Sequence, residues 1–143
     1  MPKIAKPGPI VNKEGKVIGE HQGISFYTVG QRKGLGIAAK QPLYVIAIDK
    51  KHNTIVAGKK EDGYSSELVA GNLSFIAGKK PKLPFRAKVK IRYLHPAASA
   101  MILAQGKDRL RVKFDAPQWA ITPGQAAVFY QGPTVLGGST IIC

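Results

Sequence analysis

The chain has 143 residues, enough for one compact domain or two small ones, and its 22 Lys and Arg against 8 Asp and Glu give a net charge of +14. An apolar content of 44% excludes a disordered chain, and the single cysteine, Cys143, excludes an internal disulfide framework. The charge favours a polyanionic partner over a merely basic surface, while the lack of a long apolar run or a secretory leader predicts a cytoplasmic protein that does not span a membrane.

Short strands are predicted along the first part of the chain. Residues 12–15 form a turn between two β-prone pieces, which indicates a hairpin. The stretch SFYTVGQRKGLGI follows at 25–37 and is compatible with a strand or with one short helix near 26–33. Residues 43–48 and 54–57 are apolar and β-rich, so they predict a pair of strands.

A basic, proline-containing segment at 79–84 predicts a linker, which divides the chain into domains 1–80 and 81–143. The second domain is strongly β. Its segments RAKVKIRY at 86–93 and RLRVKF at 109–114 alternate between basic and apolar residues. Two further strands at 125–130 and 134–138 flank a tight turn. The fold class is therefore mainly β, a small β-rich domain followed by a closed barrel, because closure removes sheet edges.

The alternation predicts a basic outer face on the barrel. If the two basic strands are neighbours, one small sheet carries seven cations: Arg86, Lys88, Lys90, Arg92, Arg109, Arg111 and Lys113. Such a face binds a polyanion through phosphates, or it is an ordinary solvated surface. Phe114 and Phe129 are predicted in the core. Tyr93 ends its strand and is a candidate for stacking on a base.

Catalytic constellations are weak in this sequence. The three histidines His21, His52 and His95 lack metal-ligand spacing and are predicted at the surface or in turns, so no metal site is predicted. Cys143 lacks the setting of a nucleophile, and no catalytic residue is assigned. The segment GQRKGLG matches neither nucleotide-binding fingerprint, although Gln31, Arg32 and Lys33 can reach a phosphate.

Four segments together resemble a known family. GKVIGEHQGISFYTVGQRKGLGI, KVKIRY, AITPGQAAVFY and VLGG resemble, in this order, the C-terminal part of the bacterial tRNA-specific 2-thiouridylases, over residues 8 to 142. The resemblance implies a central domain followed by a β-barrel similar to the second domain of elongation factor Tu. The chain departs from the family pattern at residues 59–80 and in the tail GGSTIIC.

The resemblance also implies a function. The whole enzyme adenylates the wobble uridine (position 34) of tRNA-Lys, tRNA-Glu and tRNA-Gln with ATP and Mg²⁺, and a persulfide then delivers sulfur to give 2-thiouridine. The family's tRNA contacts carry over to Arg92, Tyr93 and Gln125, with Gln31, Arg32, Lys33, Lys88 and Lys90 as further tRNA or interdomain contacts. No SGGxDS motif occurs here, so this chain is expected to lack the catalytic residues and any cofactor of its own.

The implied partners are tRNA and a persulfide sulfur donor, and the protein is expected to be monomeric. Two alternatives stay open at this point. One is a stand-alone basic RNA-binding barrel of translation-factor or ribosomal type. The other is a self-sufficient enzyme that uses Cys143.

Overall fold

The structure is a computed structural model that describes residues 6–37 and 41–143. Its regular elements are ten strands and two short 3-10 turns, as the sequence predicted for a mainly β chain. Backbone contacts divide the chain into two compact units, Met1–Tyr64 and Ser65–Cys143. No helix in the described part of the chain has the length and apolar character needed to cross a membrane.

The first unit contains a four-stranded sheet in the order β2-β1-β4-β3. Its strands are β1 (Gly8–Val11), β2 (Val17–His21), β3 (Tyr44–Asp49) and β4 (Thr54–Gly58). Both predicted strand pairs are confirmed, because β1 pairs with β2 and β3 pairs with β4, each antiparallel. A parallel pairing of β1 with β4 joins the two hairpins into one sheet.

The turn between β1 and β2 is built by Asn12 and Gly15. The Asn12 side-chain Oδ1 accepts hydrogen bonds from the backbone N–H groups of Glu14 and Lys16, at 3.1 and 2.9 Å. Gly15 has a φ of 86°, in the left-handed region that glycine adopts without a steric penalty. These local interactions explain why this hairpin could be read from the sequence alone.

The second unit is a closed six-stranded barrel in the order β10-β5-β8-β7-β6-β9. Its strands are β5 (Tyr64–Phe75), β6 (Phe85–Lys90), β7 (Ala98–Gln105), β8 (Arg109–Trp119), β9 (Ala126–Gln131) and β10 (Thr134–Ile141). The alternation in β8 is confirmed, since Leu110, Val112 and Phe114 are buried inside the barrel. Only two residues separate β9 from β10, which confirms the predicted tight turn.

The boundary between the two units precedes the predicted linker. The sequence predicts residues 65–80 in the first domain, yet β5 pairs with β10 and is a full member of the barrel. Leu68 and Ala70 of β5 are buried among residues from the other five strands. The reason is tertiary, because β5 lies between β10 and β8 and closes this barrel, and the proline-rich segment after β5 is only a connection within the unit.

Candidate nucleic-acid interface

The two basic strands of the barrel are not neighbours. Strand β7 lies between β6 and β8, so the predicted stripe of seven cations on adjacent strands is wrong. Arg86 of β6 lies opposite Met101 of β7, and Met101 lies opposite Lys113 of β8. The barrel therefore carries two separate basic strands, and each has its own surroundings.

Glu67 pairs with two of the three basic side chains of β8, Arg111 and Lys113. Arg111 Nη1 lies 2.9 Å from Glu67 Oε2, and Lys113 Nζ lies 3.5 Å from Glu67 Oε1. Arg86, at the start of β6, pairs with Asp115 near the end of β8. The sequence alone does not match Glu67 to β8, because Glu67 lies in the segment that is predicted in the other domain.

The remaining cations of β6 have no ion pair among the residues that the structure describes. Lys88 is exposed and Lys90 is half-buried, and both follow the outward side of the strand. Lys90 Nζ lies 5.8 Å from the centroid of the Tyr93 ring, within the range of a cation–π contact. These two lysines are the charges on β6 that remain available for an anionic ligand.

The turn after β6 presents two large apolar side chains to solvent. Strand β6 ends at Lys90, and a turn is closed by a 3.3 Å hydrogen bond from the His95 N–H to the Arg92 carbonyl. Tyr93 and Leu94 are both 88% exposed at its tip. Strand alternation would have turned Tyr93 inward, but alternation no longer applies beyond the end of the strand. The Tyr93 ring is therefore exposed, as stacking on a base would require.

Arg92 turns back onto the barrel instead of continuing the outward stripe. Its Nη2 donates to the backbone carbonyls of Trp119 and Ala120, at 2.7 and 2.8 Å. The Thr122 hydroxyl donates to the same Ala120 carbonyl, at 2.8 Å. Arg92 thus connects the turn after β6 to the turn after β8. The prediction that it ends an outward row of cations is wrong in this respect.

Gln125 lies in that second turn, immediately before β9. The turn is closed by a 3.2 Å bond from the Gln125 N–H to the Thr122 carbonyl, with Gly124 at a φ of 90°. The Gln125 N–H and carbonyl are both used by the backbone, the carbonyl by Ile141. Its side chain is exposed and makes no hydrogen bond within the described residues. Because β6 and β9 are antiparallel neighbours, the Tyr93 turn and the Gln125 turn lie at the same end of the barrel.

Replacing Arg92 with alanine is expected to loosen both turns while the barrel stays folded. The change removes two hydrogen bonds from a charged donor, and each such bond contributes about 1.5–3 kcal/mol. Faster amide hydrogen exchange at 91–97 and 119–125 than in the wild type would be the measured result. Unchanged exchange there, with Arg92→Lys as the comparison, would contradict a clamping role for the guanidinium.

The glycine-rich segment of the first unit is held by Gln31. A 3-10 turn at Ile24–Phe26 stands in place of the helix considered near 26–33. Gln31 Oε1 accepts from the Thr28 N–H at 3.0 Å, and its Nε2 donates to the Lys33 carbonyl at 2.7 Å. The Gln31 amide is therefore engaged within its own loop, whereas Arg32 and Lys33 are exposed and unpaired among the described residues.

His21 lies in a different environment from the one predicted. His21 is fully buried, against the expectation of a surface or turn position, because its ring joins two loops. Its Nδ1 accepts from the Gly23 N–H at 3.1 Å, so Nε2 carries the proton and donates to the Asn53 carbonyl at 2.7 Å. Among residues 6–37 and 41–143, no group of three His, Cys, Asp or Glu side chains could hold a metal ion.

Two carboxylates of the first unit have lowered pKa values. A side-chain hydrogen bond from His52, 2.7 Å from the Asp49 oxygen, lowers the pKa of Asp49. A hydrogen bond from the Lys13 ammonium likewise lowers the pKa of Asp62. Each carboxylate lies in an ion pair at the surface of the first unit, so these shifts indicate surface ion pairs and not a catalytic acid or base.

Two family models match the chain, one for each unit. Residues 3–59 match the family described as the tRNA methyl transferase PRC-barrel domain. Residues 65–141 match the family described as the aminomethyltransferase beta-barrel domain. The boundary between the two matches agrees with the division of the structure after Tyr64.

Similar curated proteins carry one name, tRNA-specific 2-thiouridylase MnmA. The protein from Symbiobacterium thermophilum is 49% identical over 98% of this chain, and that from Acetivibrio thermocellus is 50% identical over 97%. The Microcystis aeruginosa protein is 44% identical over 94%. The chain spans 36% to 39% of the length of these relatives.

Proposed function

The chain belongs to the family of tRNA-specific 2-thiouridylases, in which it corresponds to the C-terminal portion, and we propose that it is the tRNA-binding part of such an enzyme. The whole enzyme would make 2-thiouridine at position 34 of tRNA-Lys, tRNA-Glu and tRNA-Gln. In this proposal the chain acts as a monomer in the cytoplasm, and a persulfide-bearing protein supplies the sulfur.

The chemistry of sulfur transfer is assigned outside this chain. In this proposal ATP and Mg²⁺ bind to the part of the whole enzyme outside this chain, because the sequence has no phosphate-binding fingerprint. Cys143 is exposed, and the pairing of its carbonyl with the Val69 N–H involves only the backbone. The role proposed for this chain is therefore to bind and orient the RNA.

The observation that carries the proposal is the arrangement of side chains at the end of the barrel that holds the Tyr93 turn and the Gln125 turn, which we call the loop end. Tyr93 provides an exposed aromatic ring, Gln125 an exposed amide without a hydrogen-bond partner among the described residues, and Lys90 an ammonium without an ion pair among them. Each matches one element of RNA: a base face for the ring, a base edge or ribose hydroxyl for the amide, and a phosphate for the ammonium. Arg92 keeps the two turns in register, so that these groups do not have to be ordered when RNA binds.

The test compares two lysines that differ in their surroundings. We expect Lys90→Gln to lower the slope of log affinity against log salt by about 0.7–0.9 for unmodified tRNA-Lys transcript, since one phosphate contact is lost. Lys113→Gln removes the same charge from a lysine that pairs with Glu67, so its slope should stay near that of the wild type. The measurement is fluorescence anisotropy of labelled tRNA across a salt series.

Two outcomes would contradict the proposal. Equal slopes for the two variants would mean that the position of the charge does not matter and that binding follows net charge alone. No binding of the wild-type chain at moderate salt would mean that the barrel is not a tRNA-docking surface.

A further inference from the structure

A shallow groove lies along the outside of the barrel, beside the turn between β9 and β10 and toward the opposite end of β6 from the Tyr93 turn. It has a volume of about 230 Å³, and polar side chains of β6, β7 and β9 line it. These are Arg86, Lys88, Ser99, Tyr130 and Gln131. None of its lining residues is acidic. We call this feature the β6 groove.

Strand register places three hydrogen-bond donors in one row across the β6 groove. Lys88 of β6 lies directly opposite Ser99 of β7 on one side and directly opposite Tyr130 of β9 on the other. Directly opposite residues have Cβ atoms about 4.5–5.5 Å apart, so all three side chains can reach one small ligand. An ammonium flanked by two hydroxyl groups is a donor set for an anion.

The charge of the β6 groove is concentrated on Lys88. Arg86 at one edge is paired with Asp115, whereas Lys88 has no ion pair within the described residues. The half-buried Tyr130 provides an apolar wall beside the ammonium. A compact anion with some apolar surface around it, such as a sugar phosphate, suits this arrangement.

The β6 groove continues the line of groups at the loop end. Lys88 and Lys90 lie two residues apart on the same side of a regular strand, about 6.6 Å from each other. Beyond Lys90, the chain leads directly into the turn that carries Tyr93. A nucleic-acid strand that stacks on Tyr93 and passes Lys90 would reach Lys88 next.

We propose that the β6 groove binds a backbone phosphate of the RNA, with Lys88 Nζ and the hydroxyl groups of Ser99 and Tyr130 as donors. The inference rests on the proposed function and extends it, since it gives the RNA a path along β6 and not only a contact at the loop end. Contacts of this kind position the RNA and do not read its sequence. An acidic peptide is the competing ligand, and it is an outcome of the test below.

The test uses the 143-residue chain and unmodified tRNA-Lys transcript. Lys88→Gln is expected to lower the salt slope by about 0.7–0.9, and Lys88→Gln with Lys90→Gln by about twice as much, because each removes a separate phosphate contact. Tyr130→Phe should weaken binding without changing the slope, since it removes a neutral donor and keeps the ring. Lys113→Gln is the matched control, and circular dichroism checks that each variant is folded.

The outcomes separate this inference from the proposed function. If Lys90→Gln lowers the slope while Lys88→Gln behaves as Lys113→Gln, the β6 groove is not a phosphate site, yet the loop end still binds tRNA. If the wild type fails to bind tRNA, both proposals are wrong. If poly-glutamate competes with tRNA and its binding depends on Lys88 and Tyr130 but that of tRNA does not, the groove serves an acidic peptide and the inference is overturned.

Discussion

Replacing Tyr93 with alanine is expected to weaken binding of tRNA-Lys transcript by about 5- to 150-fold, equivalent to about 1–3 kcal/mol for one stacked base. The Tyr93 ring is 88% exposed, so the change removes little packing from the free protein. Lys90 lies over the ring, and its ammonium would lose that aromatic neighbour as well. The measurement is the dissociation constant at one fixed salt concentration.

The neighbouring residue provides a control with the same exposure. Leu94 is also 88% exposed in the same turn but has no aromatic face, so Leu94→Ala should change affinity far less. Tyr93→Phe keeps the ring and should retain most of the affinity. Equal losses for Leu94→Ala and Tyr93→Ala would indicate a general apolar contact and would contradict base stacking.

A substitution in the barrel core is expected to have a large effect on stability. Replacing Phe129 with alanine is expected to lower the free energy of unfolding of the second unit by about 3–5 kcal/mol, because a large buried side chain leaves a cavity. Phe129 is fully buried, and its ring stacks on Phe75 with centroids 6.0 Å apart. Phe75 lies on β5 and Phe129 on β9, so the pair joins strands that are not neighbours in the barrel.

Urea denaturation followed by tryptophan fluorescence measures this loss, since Trp119 ends β8 of the same unit. Phe129→Leu should cost much less, because it keeps most of the apolar volume. Phe26→Ala, in the first unit at 66% exposure, is expected to change stability by no more than about 0.5 kcal/mol. A loss for Phe129→Ala as small as that for Phe26→Ala would mean that the barrel core is not packed as described.

The tRNA-binding residues implied by the family resemblance take on separate roles in the structure. Tyr93 and Gln125 present their side chains to solvent, whereas Arg92 donates to two carbonyls of the neighbouring turn. In the proposed complex, Arg92 therefore contributes to RNA binding mainly by holding the two turns in fixed positions. The distinction is testable, because loss of a positioning residue changes loop exchange in the free protein and loss of a contact residue does not.

Local sequence patterns determined some of the strands and turns of this protein. Alternation in RLRVKF placed Leu110, Val112 and Phe114 in the core, and Asn12 with Gly15 specified the first hairpin. Such features depend on the side-chain period of a strand and on bonds between residues a few positions apart. The family motifs are also local, so the resemblance could be found in the sequence, as could the basic character of the chain.

Only the tertiary structure decided which strands are neighbours and which charges are neutralised. Barrel closure required β5, which moved the domain boundary before the proline-rich segment and brought Glu67 to Arg111. The insertion of β7 between β6 and β8 separated the two basic strands and left Lys88 and Lys90 as unpaired charges among the described residues of β6. Alternation gives the side to which a residue points but not the strand beside it, because pairing joins segments far apart in sequence.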